Sequence, residues 1–271
     1  MNSRDFTRTF TSGSFVGYFA TLVALGVVFG VILGLVVNHF GSATSASGTS
    51  IAQLISTDGG YVVIFFVFLS NFFILLLARG ATVGAITDDR FAGLLEAPLS
   101  RSVSRSGLVF ARFAGVATAV VLTAVAGPVA LIVTFYFLTH LTLPYGAAEL
   151  LVAGVVLSGL VMTALAFLYS YVAGTASRAR GMMSATVWLL YVLYFIVFFI
   201  LSGVAFRQVG STFSVLPFLE PYGRALLEAN PLLLVDTLYY GWIPSWQQLA
   251  IGVAWLAVVG GGLGARVALR D

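Results

Sequence analysis

The sequence predicts an all-α integral membrane protein with six transmembrane helices and both termini on the cytoplasmic side. Three observations support this fold class: a very apolar composition, six apolar stretches of spanning length, and arginines that collect on one side of the resulting topology. Of the 271 residues, 60% are hydrophobic and only 8% are charged, whereas soluble domains carry about 25% charged residues. Most of the apolar side chains must therefore face lipid or other helices.

Six stretches of the chain are long and apolar enough to cross the hydrocarbon core, which requires about 20 helical residues. The third contains Gly127-Pro128, which we expect to kink the helix or break its hydrogen-bond ladder. The first is too long for the apolar core of a signal peptide, so we expect it to remain as a span. The predicted spans are Phe15–Val37, Tyr61–Ala78, Leu108–Leu138, Ala147–Gly174, Met182–Phe206 and Leu249–Ala265.

The arginines orient these spans. Eleven of them fall on one side of a six-span topology, and only Arg207 and Arg224 fall on the other. Because arginine-rich loops stay in the cytoplasm, this side is predicted to be cytoplasmic. A five- or seven-span count would spoil the partition. The eleven residues are Arg4, Arg8, Arg79, Arg90, Arg101, Arg105, Arg112, Arg178, Arg180, Arg266 and Arg270.

Several chemistries are excluded by residue types that the chain lacks. Without Cys there are no disulfides, iron–sulfur clusters or Cys-ligated zinc sites. Without Lys there is no P-loop for nucleotide phosphates. The only histidines, His39 and His140, could share a metal at the outer ends of their spans, but two independent interfacial imidazoles are favoured. We therefore expect no catalytic site, cofactor, resident metal or nucleic-acid partner.

Polar groups inside the spans are few. Ionisable residues are nearly absent there, which argues against an ion-coupled transporter. Asn71 is the clearest polar residue within a span, and a packing hydrogen bond is favoured over a transport role. Aromatic residues of the fifth span fit a substrate path or, as the favoured interpretation, a lipid-facing stripe. They are Trp188, Tyr191, Tyr194, Phe195 and Phe198.

A glycine repeat marks one face of the first span. Gly26, Gly30 and Gly34 recur every four residues and so lie on the same side of a helix. Small residues in this pattern let two helix backbones approach closely. The repeat predicts either a dimer interface or close packing within one subunit, and the sequence leaves both open.

The external segment 207–248 mixes apolar residues with four prolines. It fits short helices in the outer leaflet or an interfacial loop with an aromatic belt, and both interpretations stay open.

The predicted cytoplasmic loop between spans two and three is the most informative segment. It contains Asp88-Asp89-Arg90, then Gly93-Leu94-Leu95-Glu96 and Pro98-Leu99-Ser100-Arg101, before Arg105 leads into span three. We expect a short amphipathic helix that ends at Pro98 and presents its charges to water or to a partner protein. The alternative is an ordinary loop whose arginines only orient the chain.

This loop resembles that of the permease subunits of ABC-2 type transporters. In that family, an acidic-basic pair is followed by Gly-Thr-Leu-Glu, a Leu-rich turn and Pro-Val-Ser-Arg. Asp89-Arg90, Gly93–Glu96 and Pro98–Arg101 match these elements, although Leu94 replaces Thr and the turn is shortened to Ala97. The six-span topology and Asn230-Pro231 before the last span are also similar to the family pattern.

The resemblance implies that residues 1–271 form a single permease domain in the cell membrane. Such a subunit pairs with a second permease, identical or different, and binds a cytoplasmic ATPase subunit whose ATP hydrolysis drives transport, here expected to be export. The loop would dock on the ATPase as a coupling helix, and Gly26, Gly30 and Gly34 would lie in the dimer interface. A membrane assembly or anchoring protein without transport activity is the alternative function. The implied docking residues are Asp88, Asp89, Arg90, Glu96, Arg101 and Arg105.

Overall fold

The computed structural model describes residues 13–44, 51–82, 105–143, 147–173, 175–190 and 246–268. Within these ranges the regular secondary structure is α-helical. The helices are α1 (Gly13–Thr44), α2 (Ile51–Thr82), α3 (Arg105–Thr139), α4 (Ala147–Val172), α5 (176–190) and α6 (Trp246–Ala268).

Four of these helices contain a stretch that is long and apolar enough to cross a membrane, which confirms an all-helical, multi-pass membrane protein. The stretches are Phe15–His39, Val109–Thr139, Ala148–Val172 and Leu249–Val267, and each overlaps a predicted span. The second predicted span coincides with a shorter apolar stretch, Phe65–Ala81, at the C-terminal end of α2. The fifth begins in α5, and its residues beyond 190 lie outside the described part of the chain.

Helix α3 continues through Pro128, so the helix is not broken at Gly127-Pro128. Proline has no N–H to donate to the carbonyl four residues earlier, which leaves one hydrogen bond of the ladder unmade. Both Gly127 and Pro128 are buried. A Cβ built on Gly127 would lie 3.3 Å from the Leu22 carbonyl oxygen and 3.4 Å from the Phe66 ring. Packing by α1 and α2 on this point holds the helix across the proline.

The closest helix pair is α1 and α3, which meet along the glycine repeat. A Cβ built on Gly30 would lie 2.7 Å from the Leu131 carbonyl oxygen and 2.8 Å from the Thr134 Cβ. A Cβ on Gly26 would collide with the Gly127 carbonyl oxygen, and one on Gly34 would lie 3.2 Å from Leu138. The two backbones therefore approach so closely that the repeat has no room for larger side chains.

This contact bears on the two interpretations that the sequence left open for Gly26, Gly30 and Gly34, of which the dimer interface stays a prediction. All three are buried against α3 of the same chain. The contact agrees with the other interpretation, close packing inside one subunit.

Helix α4 is the most enclosed helix, and small residues again allow neighbours to approach it. A Cβ on Gly159 would lie 2.8 Å from Val120 of α3 and 3.0 Å from Ile74 of α2. On another side of α4, the side chain of Leu157 occupies the space that a side chain at Gly252 of α6 would need. Helix α4 is thus packed against α2, α3 and α6 together.

Helix α5 folds back along α4 after a short turn. Thr175 caps its first turn, because the Arg178 N–H donates to the Thr175 hydroxyl oxygen at 3.2 Å. The hydroxyls of Tyr169 and Thr186 are hydrogen-bonded at 2.9 Å and join α4 to α5. Met183 and Val187 are buried with Met162, Leu165 and other residues of α4.

The residue pairings give the relative directions of the helices. Helices α1 and α3 run parallel, because residue numbers rise together from Gly26 opposite Ala130 to Gly34 opposite Leu138. Helices α3 and α4 run antiparallel, since Phe113 packs on Phe167 while Val120 meets Gly159.

Two further pairings extend this pattern. Phe66 and Ile74 of α2 approach α3 near Gly127 and Val120, so α2 also runs antiparallel to α3. Helix α6 runs parallel to α4, because Gly252 meets Leu157 and Val259 is buried with Met162 and Leu165.

Replacing Gly30 with leucine should destabilise the subunit itself. The new side chain would collide with the backbone of α3 at Leu131, and neither backbone can move without breaking the rest of the glycine contact. Over-packing of this kind costs about 1–3 kcal/mol or more. We expect a lower midpoint of thermal unfolding for the Gly30→Leu protein in detergent.

Gly17→Leu is the matched control for this test. Gly17 lies on the same helix, with nothing within 4 Å of its built Cβ, so this substitution should leave the midpoint unchanged. Equal midpoints for the two variants would contradict the close packing of α1 on α3.

Candidate functional site

The predicted coupling loop is attached to the structure at two neighbouring helix ends. Its residues Asp88, Asp89, Arg90, Glu96 and Arg101 lie outside the described part of the chain. Arg105 is the first residue of α3. The structure therefore describes the ends that hold the loop, at Thr82 of α2 and at Arg105 of α3.

These two helix ends are packed together. Ala78 near the end of α2 and Val109 near the start of α3 are both buried in one hydrophobic cluster, which also includes Leu263 and Val267 of α6. Because α2 and α3 are antiparallel, residues 83–104 connect them at a single end of the bundle. This is the end at which α5 begins and α6 finishes.

A force on this loop would reach the centre of the bundle directly. Helix α3 is fixed to α1 by the glycine contact and to α4 by the rings of Phe113 and Phe167, whose centroids lie 5.2 Å apart at an angle of 81°. Helix α2 reaches α4 through Ile74 at Gly159. Both helices that hold the loop are therefore in direct contact with α1 or α4.

The buried part of the described structure contains hydroxyl groups and one amide. Asn71 is buried, and the packing hydrogen bond expected for it stays a prediction. Sequence reasoning did not single out the accompanying hydroxyls, although Ser and Thr inside apolar spans are the signal that could have identified them. The buried polar residues are Ser70, Asn71, Thr123, Ser158, Thr163 and Ser170.

Two of these hydroxyls are satisfied by their own helices. The Thr123 hydroxyl donates to the Ala119 carbonyl oxygen at 2.8 Å, and the Thr163 hydroxyl donates to the Gly159 carbonyl oxygen at 2.7 Å. Such bonds to the carbonyl four residues earlier let a hydroxyl stay in an apolar interior without a partner helix. These threonines therefore require neither water nor a transported ion.

The two histidines lie at the end opposite the loop. His39 and His140 are both exposed, and parallel packing of α1 and α3 brings their helix ends to the same side. His140 takes a left-handed backbone conformation, with φ of 55°, and its N–H donates to the Tyr136 carbonyl oxygen at 2.7 Å. It closes α3 as a C-terminal cap. Within the described ranges, no three metal-ligating residues come together.

The aromatic stripe of the fifth span is described at one position. Trp188 is 70% exposed. Tyr191, Tyr194, Phe195 and Phe198 lie outside the described residues.

Comparison with known proteins identifies the family. The family model described as ABC-2 family transporter protein matches residues 4–261, nearly the whole chain. The chain belongs to the ABC-2 transporter family. A comparison with curated proteins found no match.

Membership of the ABC-2 family defines the general role of the chain. It is a membrane permease component of an ABC transporter, and members of this family associate with an ATP-binding cassette subunit. The resemblance inferred from the loop between the second and third predicted spans is thereby confirmed. The match extends across the described helices, so the ABC-2 assignment covers the fold as well as the loop.

The two internally bonded threonines give a test of the buried hydroxyls. Thr123→Val and Thr163→Val keep the shape of each side chain and remove only its bond to a carbonyl that already accepts a helix hydrogen bond. We expect each to change the free energy of unfolding by less than about 1 kcal/mol. ATP hydrolysis by the assembled transporter should stay within about twofold of wild type. A loss of transport at normal stability would instead assign these hydroxyls to a substrate path.

Proposed function

We propose that this chain is the transmembrane subunit of an ABC exporter and is driven by ATP hydrolysis on a separate cytoplasmic subunit. The observation that carries the proposal is the family match across residues 4–261, in a chain whose lack of lysine excludes a P-loop of its own. The subunit works as one of a pair of permeases in the plasma membrane.

In this proposal the chain crosses the membrane six times, with both termini in the cytoplasm. The parallel and antiparallel helix directions support this topology, since α1 and α3 run one way while α2, α4 and α6 run the other. Helix α5 begins at the end where α4 finishes, and α6 begins at the opposite end. The arginine distribution supports a cytoplasmic location for the loop.

The loop 83–104 is the docking element in this proposal. Asp88, Asp89, Arg90, Glu96, Arg101 and Arg105 bind the ATPase subunit. Closure of the ATPase on ATP pushes the loop, and the loop moves α2 and α3. Because these helices carry the contacts to α4 and α1, the movement reshapes the path between the two permeases.

Single cysteines introduced into this cysteine-free chain test the topology. Ser177 at the start of α5 and Thr142 after α3 are both exposed and lie at opposite ends of the bundle. In intact cells, a membrane-impermeant maleimide should label Thr142→Cys and should label Ser177→Cys only after permeabilisation. The opposite pattern would invert the topology, and equal labelling of both variants in intact cells would contradict it.

Charge reversal within the loop tests docking. Arg101→Glu and Glu96→Arg should each weaken association with the ATPase subunit by at least roughly tenfold, because like charges would face each other across the interface. The measurement is co-purification from membranes that contain equal amounts of permease.

Arg101→Lys is the control for docking, since it keeps the charge. Unchanged association of both reversed variants would remove the loop from the docking surface. The absence of any ATPase partner would favour the alternative of an assembly or anchoring protein.

A further inference from the structure

Among the described residues, arginines and acidic residues lie toward different ends of the bundle. All six arginines in the described ranges lie in the turns near one end of the helices, here called the arginine end. The two acidic residues in the same ranges, Asp58 and Glu149, lie in the N-terminal halves of α2 and α4, toward the other end of the bundle. The arginine end is formed by Arg79, Arg105, Arg112, Arg178, Arg180 and Arg266.

Helix packing brings these arginines to a common surface. Arg79 follows buried Ala78 on α2, and Arg266 precedes buried Val267 on α6; both buried residues belong to one hydrophobic cluster. Arg112 precedes Phe113, whose ring packs on Phe167 near the end of α4. The turn from α4 to α5 brings the first turn of α5 to the same end.

Three of these side chains face outward. Arg178 and Arg180 on the first turn of α5 and Arg266 on the last turn of α6 are exposed. The positive end of the α5 dipole, capped by Thr175, lies beside Arg178 and Arg180 and adds to the positive potential.

From this arrangement we propose that the arginine end binds the headgroups of anionic phospholipids. The apolar parts of the same helices place this end at the membrane boundary, where phosphate groups of lipids are the neighbouring anions. Guanidinium groups bind phosphate oxygens in a bidentate geometry. The net electrostatic attraction is weaker for a headgroup whose total charge is zero. The assignment to the cytoplasmic leaflet rests on the proposed topology, whereas the binding itself does not.

The test uses the full-length permease purified in a neutral detergent, without any ATPase. The protein is mixed with phosphatidylglycerol or with phosphatidylcholine of the same acyl chains, and retained lipids are counted by native mass spectrometry. Wild type should retain phosphatidylglycerol preferentially. Each arginine near an anionic headgroup contributes about fivefold in affinity, so R178Q/R180Q/R266Q should lower this preference by at least roughly tenfold.

The matched control is R178K/R180K/R266K, which keeps all three charges and should retain most of the preference. If the triple glutamine variant unfolds early, R178Q/R180Q replaces it, because both residues are exposed on a single helical turn. Undiminished binding of phosphatidylglycerol by a folded glutamine variant would overturn the proposal. So would a lysine variant that binds as poorly as the glutamine variant.

The result is separable from the docking test. Failure of the loop substitutions to affect ATPase association would leave lipid retention by the purified permease unchanged. Conversely, glutamine variants that keep their lipids but lose the ATPase would assign the arginine end to the protein partner and refute lipid binding.

Discussion

The close approach of α1 and α3 is the contact on which the arrangement of the other helices depends. Between helices in lipid there is little hydrophobic driving force, so association relies on close packing and on hydrogen bonds. Gly26, Gly30 and Gly34 provide such packing by placing one helix backbone directly against another. Phe66 of α2 also packs near Gly127 on this same seam, which fixes α2 relative to the pair.

From this pair, the packing leads to the proposed coupling element. Helices α2 and α3 meet α4 at Gly159, and they hold the loop 83–104 between their paired ends. In the proposed mechanism, a push on the loop displaces α3. Because the glycine repeat leaves no gap between α1 and α3, α1 is displaced as well. Rigid contacts of this kind suit a subunit that receives its energy from another protein and has no catalytic centre of its own in our proposal.

The family could be predicted from the sequence because the resemblance rests on local patterns, whereas the roles of the loop residues stay predictions. The loop residues from Asp88 to Arg105 were recognised by their order along the chain, and the family match confirms that resemblance. The buried hydroxyls of Thr123 and Thr163 were missed, since a threonine in an apolar span looks the same whether it faces lipid or the interior. Their burial depends on which neighbouring helix covers them.

By itself, the sequence determined the membrane class, the approximate positions of four long spans and the family, because apolar length and linear motifs need no partner helix to be recognised. Only the tertiary structure shows which helix of the same chain packs against the glycine repeat. The repeat specifies that some backbone comes close, and the same three residues fit a helix of a second copy or of the same chain. The position of α3 against them shows close packing within the chain, and the helix that contains Pro128 continues where its neighbours enclose it.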